Sequence, residues 1–251
     1  MKKFPSILDK LFPWDKTSAC GKIMEVYAQK AYTIIDFLYF ANTVFNWLDQ
    51  DTRTNRQERY VSSLENADIL LPDGIAIELL YKKYFGKKLS NLNGTDFLPY
   101  FLSYLKTKQK VSVILYWERT SVWEEAKKYI ENTLKHPVIF HNDGFKEFDW
   151  NALEDILETR EKNETQVLLV GRWTPLQEIW IEENRDKIEE HKLITFGIGG
   201  LLSFWAGTEK RAPEWIRKIR WEWLYRAITQ PRKNLKKTLV SLKLFWYLLG
   251  K

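Results

Sequence analysis

Short apolar runs alternate with helical patterns through the first 200 positions, and this alternation constrains the fold more than any other feature. The runs are TIIDFLYF (33–40), DILLPD (68–73), KVSVILYW (110–117), HPVIFHN (136–142), TQVLLVG (165–171) and KLITFGIGG (192–200). Helical patterns separate most of them, around 74–85, 95–107, 120–134, 149–162 and 175–190. Strands that return through a helix pair in parallel, and strands that are apolar almost end to end are covered on both faces. The chain is therefore expected to be α/β, a Rossmann-like parallel sheet sandwiched by helices. Its 251 residues with 45% apolar content suffice for one main core.

After Gly200 the alternation stops, and helices alone are expected from Arg211 onward, with breaks near Arg220 and at Pro231. Residues 210–251 hold 12 Lys and Arg against Glu214 and Glu222, a local charge of +10 in a chain of +6, so the first 209 residues carry −4. A basic tail of this kind meets an anionic partner, whether lipid headgroup, phosphate or nucleic acid. Leu235, Leu239, Leu242, Trp246 and Leu249 share one helical stripe, Lys233, Lys236, Lys237 and Lys243 lie off it, and the last turns are apolar nearly all round. Such an appendage is suited to lie on a membrane surface. The expected organisation is a divergent segment over 1–30, a core over 31–210 and a helical basic appendage over 211–251. The first segment either caps the sheet or adds a membrane contact.

Several chemistries are disfavoured. Cys20 is the single cysteine and has no thiol partner for a disulfide, which fits a reducing compartment. No run approaches the roughly 18 apolar residues of a membrane span, and the N-terminus lacks the apolar core and cleavage site of a secretory signal. His136, His141 and His191 have no metal-ligand spacing, and no Gly-x-Ser-x-Gly elbow exists. Asp49-Gln50-Asp51 has the spacing of a metal-diphosphate motif but sits at the polar end of a helical pattern, so it reads as a solvated terminus. Gly197, Gly199 and Gly200 follow a strand, yet Leu202 stands where a dinucleotide fingerprint needs glycine. A tight turn and a ligand cradle fit this cluster equally.

Asp73 ends a buried run and precedes Gly74, at the strand edge where open α/β proteins hold ligands. It suits either a carboxylate facing a crevice or a helix N-cap. Two helix starts are expected from local chemistry: Thr174 as N-cap with Pro175 at the first helical position and Gln177 closing a capping box, and Thr95 as N-cap in Asn93-Gly94-Thr95-Asp96.

Taken together, ADILLPDG (67–74), NGTDF (93–97), TPLQEIWIEEN (174–184), FGIGG (196–200), AGTEKRAPEW (206–215) and EWLYRAITQPR (222–232) resemble the WecG/TagA/CpsF glycosyltransferase family, in its order and at its spacing. The resemblance spans roughly residues 33–237 and implies an inverting transferase of the fold often called GT-E. Such enzymes move N-acetylmannosamine or a related sugar from UDP to a polyprenyl-diphosphate-linked N-acetylglucosamine, in synthesis of a surface polysaccharide or wall polymer. Asp73 then matches the family's general base. Asn42 and Gln177 match its donor-sugar contacts, and Gly199 and Gly200 its glycine turn. Arg226, Arg232, Lys233 and Lys236 match its basic C-terminal cluster, which would stabilise the leaving diphosphate. No metal or other cofactor is expected, and the protein would sit peripherally on the cytoplasmic face of the membrane, with residues 231–251 on anionic lipid. A homo-oligomer also fits the family.

The departures from the family pattern are specific. Phe40 and Ala41 replace the Thr and Pro before Asn42, Leu176 replaces a Lys, and Ser90 and Asn91 replace a Glu-Arg pair. They leave open a different donor sugar, or a catalytically impaired descendant that binds nucleotide sugar without turnover. A basic-tail nucleic-acid module is the other alternative, and no recognisable nucleic-acid motif supports it.

Overall fold

The computed structural model describes residues 4–11, 13–48, 54–117, 120–161, 164–218, 221–229 and 238–249. Six strands form one sheet, all parallel: β1 (Thr33–Tyr39), β2 (Ile69–Asp73), β3 (Val111–Trp117), β4 (Val138–Asp143), β5 (Thr165–Gly171) and β6 (Ile194–Gly197). Their spatial order is β2-β1-β6-β5-β3-β4. The alternating α/β reading holds, and each expected run supplies one strand. The last is shorter than expected because Lys192 and Gly199 adopt left-handed turns, at φ 55° and 51°, that bracket it.

The pleat sends successive side chains to opposite faces, which explains why these strands are apolar throughout. Ile34, Leu38, Leu70, Ile114, Tyr116, Leu168 and Val170 are buried on one face. There they meet α1 (Phe4–Asp9), α4 (Asn55–Asn66), α5 (Ile75–Phe85), α8 (Trp150–Glu158), α9 (Leu176–Glu183) and α10 (Arg185–Glu190), while α3 (Phe40–Thr43) continues β1 and runs into a π-helical turn, Val44–Leu48. Ile35, Leu71, Val113, Leu115, Val167, Leu169 and Phe196 are buried on the other face, under α2 (Lys16–Lys30), α6 (Gly94–Lys106), α7 (Thr120–Tyr129) and α11 (Leu201–Trp205).

Helices α1 and α2 cap the sheet, one on each side. Phe4, Ile7 and Leu8 of α1 join the first core, whereas Ala19, Cys20 and Ile23 of α2 join the second. Each core would lose several fully buried side chains without them, so these helices belong to the body of the fold.

Beyond α11 lie α12 (Glu214–Lys218), α13 (Glu222–Thr229), helical residues 238–242 and α14 (Leu244–Leu249). The last segment has two apolar faces. Val240, Leu244, Tyr247 and Leu248 pack against the first core, with the Tyr247 ring edge-on to Phe4 and Phe40 at centroid separations of 6.2 and 5.6 Å. Lys83 Nζ donates to the Tyr247 carbonyl at 2.6 Å. Leu239, Leu242, Phe245, Trp246 and Leu249 face outward, and Trp246 is 63% exposed. Among the described residues no helix is long and apolar enough to cross a membrane.

Candidate active site

The C-terminal edge of the sheet gathers two polar clusters on either side of β1. The first is built on the end of β2. Asp73 pairs with Tyr39 across the β1–β2 ladder, and Gly74 follows at φ 89°, a left-handed conformation that glycine adopts without a steric penalty. That turn separates Asp73 from α5, and Gly74 itself caps the helix without any side-chain bond. The N-cap alternative for Asp73 is thereby excluded. Its half-buried carboxylate lies at the strand edge.

The segment returning to α6 supports this turn. Leu92 N–H donates to the Pro72 carbonyl at 2.9 Å, and Gly74 N–H donates to Asn91 Oδ1 at 3.2 Å. Asn93 then caps α6, its Oδ1 accepting from the Asp96 amide at 3.1 Å. Thr95 is the cap expected from sequence, but the cap lies two residues earlier, at Asn93, and the Thr95 hydroxyl donates to Asn93 Oδ1 at 2.6 Å. The longer Asn side chain reaches the amide, so the hydroxyl serves the cap instead of forming it.

Charges converge on Asp73 from the segments after β6. Arg211 forks between Asp96 and Glu222, with Nη2 at 3.3 Å from Asp96 Oδ2 and 3.1 Å from Glu222 Oε2. Arg217 Nη1 lies 3.6 Å from Asp96 Oδ1. Arg226 stands 5.2 Å above the Phe204 ring and 3.5 Å from Glu209 Oε2. Burial pushes the Asp73 carboxyl up to about 6; Arg226 and Arg211 oppose that rise, and Glu222 and Asp96 add to it. Asp96 is held below the usual range although burial raises it, because Arg211 and Asn93 hydrogen-bond its charged form.

The second cluster joins β1, β6 and the start of α9. Asn42 Nδ2 donates to Thr174 Oγ1 at 3.2 Å, Thr174 Oγ1 donates to Glu178 Oε1 at 2.8 Å, and Gln177 Nε2 donates to the same oxygen at 3.1 Å. Gly199 N–H donates to Gln177 Oε1 at 2.8 Å. The expected capping box at Thr174–Gln177 is absent: α9 begins at Leu176, Pro175 is its cap residue, and no side chain bonds the cap. Thr174 and Gln177 are committed to Glu178 and Gly199, so neither is left for the helix end. Beneath them Asp36, 1% exposed, lies against Gly197, where an added Cβ would come within 2.5 Å of Asp36 Oδ1 and 3.0 Å of Gln177 Nε2. A side chain at 197 would close that contact.

Of the residues singled out from sequence, Asn42, Gln177 and Gly199 thus share one network, with Gly200 next in the chain. Asp73 and Arg226 share the neighbouring crevice. Arg232, Lys233, Lys236 and the Asp49–Asp51 motif lie outside the described residues. Since β2 and β6 flank β1, the two clusters are separated by roughly 10 Å, two inter-strand spacings. Sequence reasoning missed Asp36, Glu178 and Arg211. Asp36 did carry a signal, a charge inside the otherwise apolar run TIIDFLYF. The arrangement offers a raised carboxylate able to take a proton, cations beside it, and a rigid hydrogen-bonding wall for a polar ligand.

The chain matches the model of the glycosyl transferase WecG/TagA/CpsF family over residues 18–251. It is similar to three proteins named N-acetylglucosaminyldiphosphoundecaprenol N-acetyl-beta-D-mannosaminyltransferase. The one from Bacillus spizizenii is 27% identical over 187 residues, covering 70% of this chain and 66% of that protein. The Bacillus subtilis protein is 24% identical over 173 residues, covering 68% and 65%. The Staphylococcus aureus protein is 23% identical over 194 residues, covering 77% and 73%. The chain therefore spans just under two thirds of the length of the two Bacillus relatives.

Proposed function

The chain belongs to the WecG/TagA/CpsF family of glycosyl transferases, and from that premise we propose that it moves N-acetylmannosamine or a related sugar from UDP to a polyprenyl-diphosphate-linked N-acetylglucosamine. The names of its relatives support the acceptor and the sugar. The observation that carries the reading is Asp73, a half-buried carboxylate raised to about 6 at the sheet edge with arginines beside it.

Asp73 acts as general base. A sugar hydroxyl is too weak an acid to ionise beforehand at neutral pH, so its proton passes to Asp73 while its oxygen bonds to the anomeric carbon and the bond from that carbon to UDP breaks. A carboxyl at about 6 is a stronger base than an ordinary aspartate and is still about nine-tenths ionised at pH 7. The electron pair of the broken bond leaves with the diphosphate, whose charge Arg226 and the basic residues Arg232, Lys233 and Lys236 stabilise. Attack in line with departure inverts the anomeric centre.

The acceptor's lipid requires the enzyme at a membrane surface. The outward face of the C-terminal segment, with Leu242, Phe245, Trp246 and Leu249, supplies apolar anchors beside a basic stretch. Removing residues 231–251 as a block would also strip Tyr247 from Phe4 and Phe40, so the sharper test replaces Leu242, Phe245 and Trp246 with serine. The triple variant is expected to stop sedimenting with anionic vesicles while keeping its thermal midpoint. Undiminished sedimentation would sink the membrane role.

The transferase itself is tested by UDP release from a panel of UDP-sugars, with and without a polyprenyl-diphosphate-N-acetylglucosamine analogue and with EDTA present. Acceptor-dependent release that collapses in Asp73→Asn is the expected result. Binding of UDP-sugars without any turnover would favour the impaired descendant that Asn91 and Leu176 suggest.

A further inference from the structure

The hydrogen bonds of the second cluster all run in one direction. Thr174 gives its only hydroxyl proton to Glu178, so toward Asn42 it can only accept, and Asn42 must turn its NH2 group inward. The Gly199 backbone amide can only donate, so Gln177 must give it the carbonyl oxygen and turn nitrogen toward Glu178. A backbone N–H at one end and a carboxylate at the other fix both amides.

That carboxylate is buried beside a second one. Glu178 is 3% exposed and Asp36 1%, and two such groups in an apolar setting do not both ionise. Glu178 Oε1 accepts two hydrogen bonds, which favour its charged form, whereas Asp36 Oδ1 has no hydrogen-bond partner among the described residues. Burial first, then Glu178 and Glu182, push the Asp36 carboxyl well above the usual range, against the weaker pull of Arg185 and Lys10. Asp36 therefore holds the proton and Glu178 the charge.

We propose that Glu178 is a positioning residue that sets the hydrogen-bonding polarity of the donor-sugar site through Thr174 and Gln177. Asn42 then offers its carbonyl oxygen to a sugar O–H or N–H, and Gln177 offers its remaining N–H to an acetamido carbonyl. The site selects N-acetylated sugars over plain hexoses by this polarity. The inference rests on the reading that Asn42 and Gln177 hold the donor sugar, and what it adds is Glu178 and Thr174 as the positioning residues behind them, through which an N-acetylated donor such as the one in the relatives' names would be selected.

The test uses the full chain. In ligand-free protein the side-chain amide signals of Asn42 and Gln177 are assigned by NMR from their loss in Asn42→Asp and Gln177→Glu. Glu178→Gln, which keeps the shape but can itself donate, is expected to move both pairs. Thr174→Val is expected to move the Asn42 pair alone, and Thr174→Ser to restore it. Calorimetric titration then compares UDP, a UDP-hexose and a UDP-N-acetylhexosamine. Glu178→Gln is expected to keep its affinity for UDP, which reports an intact fold, and to lose at least tenfold of its preference for the N-acetylated donor. An unmoved Asn42 pair, or a preference retained in Glu178→Gln, overturns the proposal. Moved signals in a protein that binds no UDP-sugar would overturn the donor-site reading beneath it, whereas unmoved signals in one that does bind them overturn the relay alone.

Discussion

Asp36 and Asp73 sit on adjacent parallel strands, and burial raises both, yet their surroundings make them different chemical objects. The odd-even difference in their positions sends them to opposite faces of the sheet: Asp36 shares the face of Leu70, and Asp73 continues that of Leu71. Asp36 lies mid-strand among Glu178 and Glu182 and has lost contact with solvent. Asp73 ends its strand, stays half-buried, and has Arg226 and Arg211 opposing its rise. A raised carboxyl is therefore not in itself a sign of catalysis. Access to a crevice, and cations that keep the group ionisable near neutrality, separate a base from a structural acid.

The largest effect expected from this contrast is on turnover. Asp73→Asn should lower kcat by about 10²–10⁴-fold with little change in UDP affinity, the range for loss of a general base. A change confined to KM would remove Asp73 from the chemistry. On the other side of β1, Gly197→Ala drives a methyl group to 2.5 Å from Asp36 Oδ1. Overpacking of that kind should cost about 1–3 kcal/mol in denaturant unfolding, and an unchanged midpoint would show that the contact between β6 and Asp36 is loose.

The two acids also differ in how pH acts on them. Asp73 must be ionised to accept a proton, so kcat/KM should fall about tenfold per pH unit below about 6. A flat profile down to pH 5 would contradict the raised base. The smallest effect is thermal. Because the folded state raises Asp73 from 3.8 to about 6, its contribution to stability is full below 3.8 and lost as pH rises through 6, leaving the ionised group destabilising at pH 7.5. Discounted for solvent at the half-buried carboxylate, Asp73→Asn should gain about 1–2 kcal/mol there, or roughly 4 °C in Tm, and the gain should vanish by pH 4. Asp36→Asn should also gain stability with pH, but without levelling off near 6, because a buried carboxyl that keeps its proton when folded and loses it when unfolded weakens the fold continuously as pH rises above 3.8; melting curves across pH 4–7.5 decide.

What could be read in advance follows the range over which each signal acts. TQVLLVG matches β5 end to end, because strand periodicity and its bounding turns are local. Asp73 was legible for the same reason, since the chain passes from strand to glycine to helix within a few residues. The relay was not, because it joins Asn42 to Thr174 and sets Asp36 beside Glu178, pairs well over 100 positions apart. Arg211 was hidden similarly, as its partner Asp96 lies 115 residues away. The misplaced caps have a different origin. Thr174 and Thr95 have the right chemistry to cap, but each hydroxyl is claimed by a polar side chain close in sequence, Glu178 four residues on and Asn93 two residues back.

Asn91, one of the departures from the family pattern, has a structural role of its own. It accepts the Gly74 amide proton at the turn behind Asp73, and an arginine at this position would have no side-chain acceptor to offer. Asn91→Arg would strip support from that turn before it added any charge, so the two side chains are not alternative settings of one site. Asn91→Arg alone should therefore lower stability, because no side-chain acceptor would then meet the Gly74 amide.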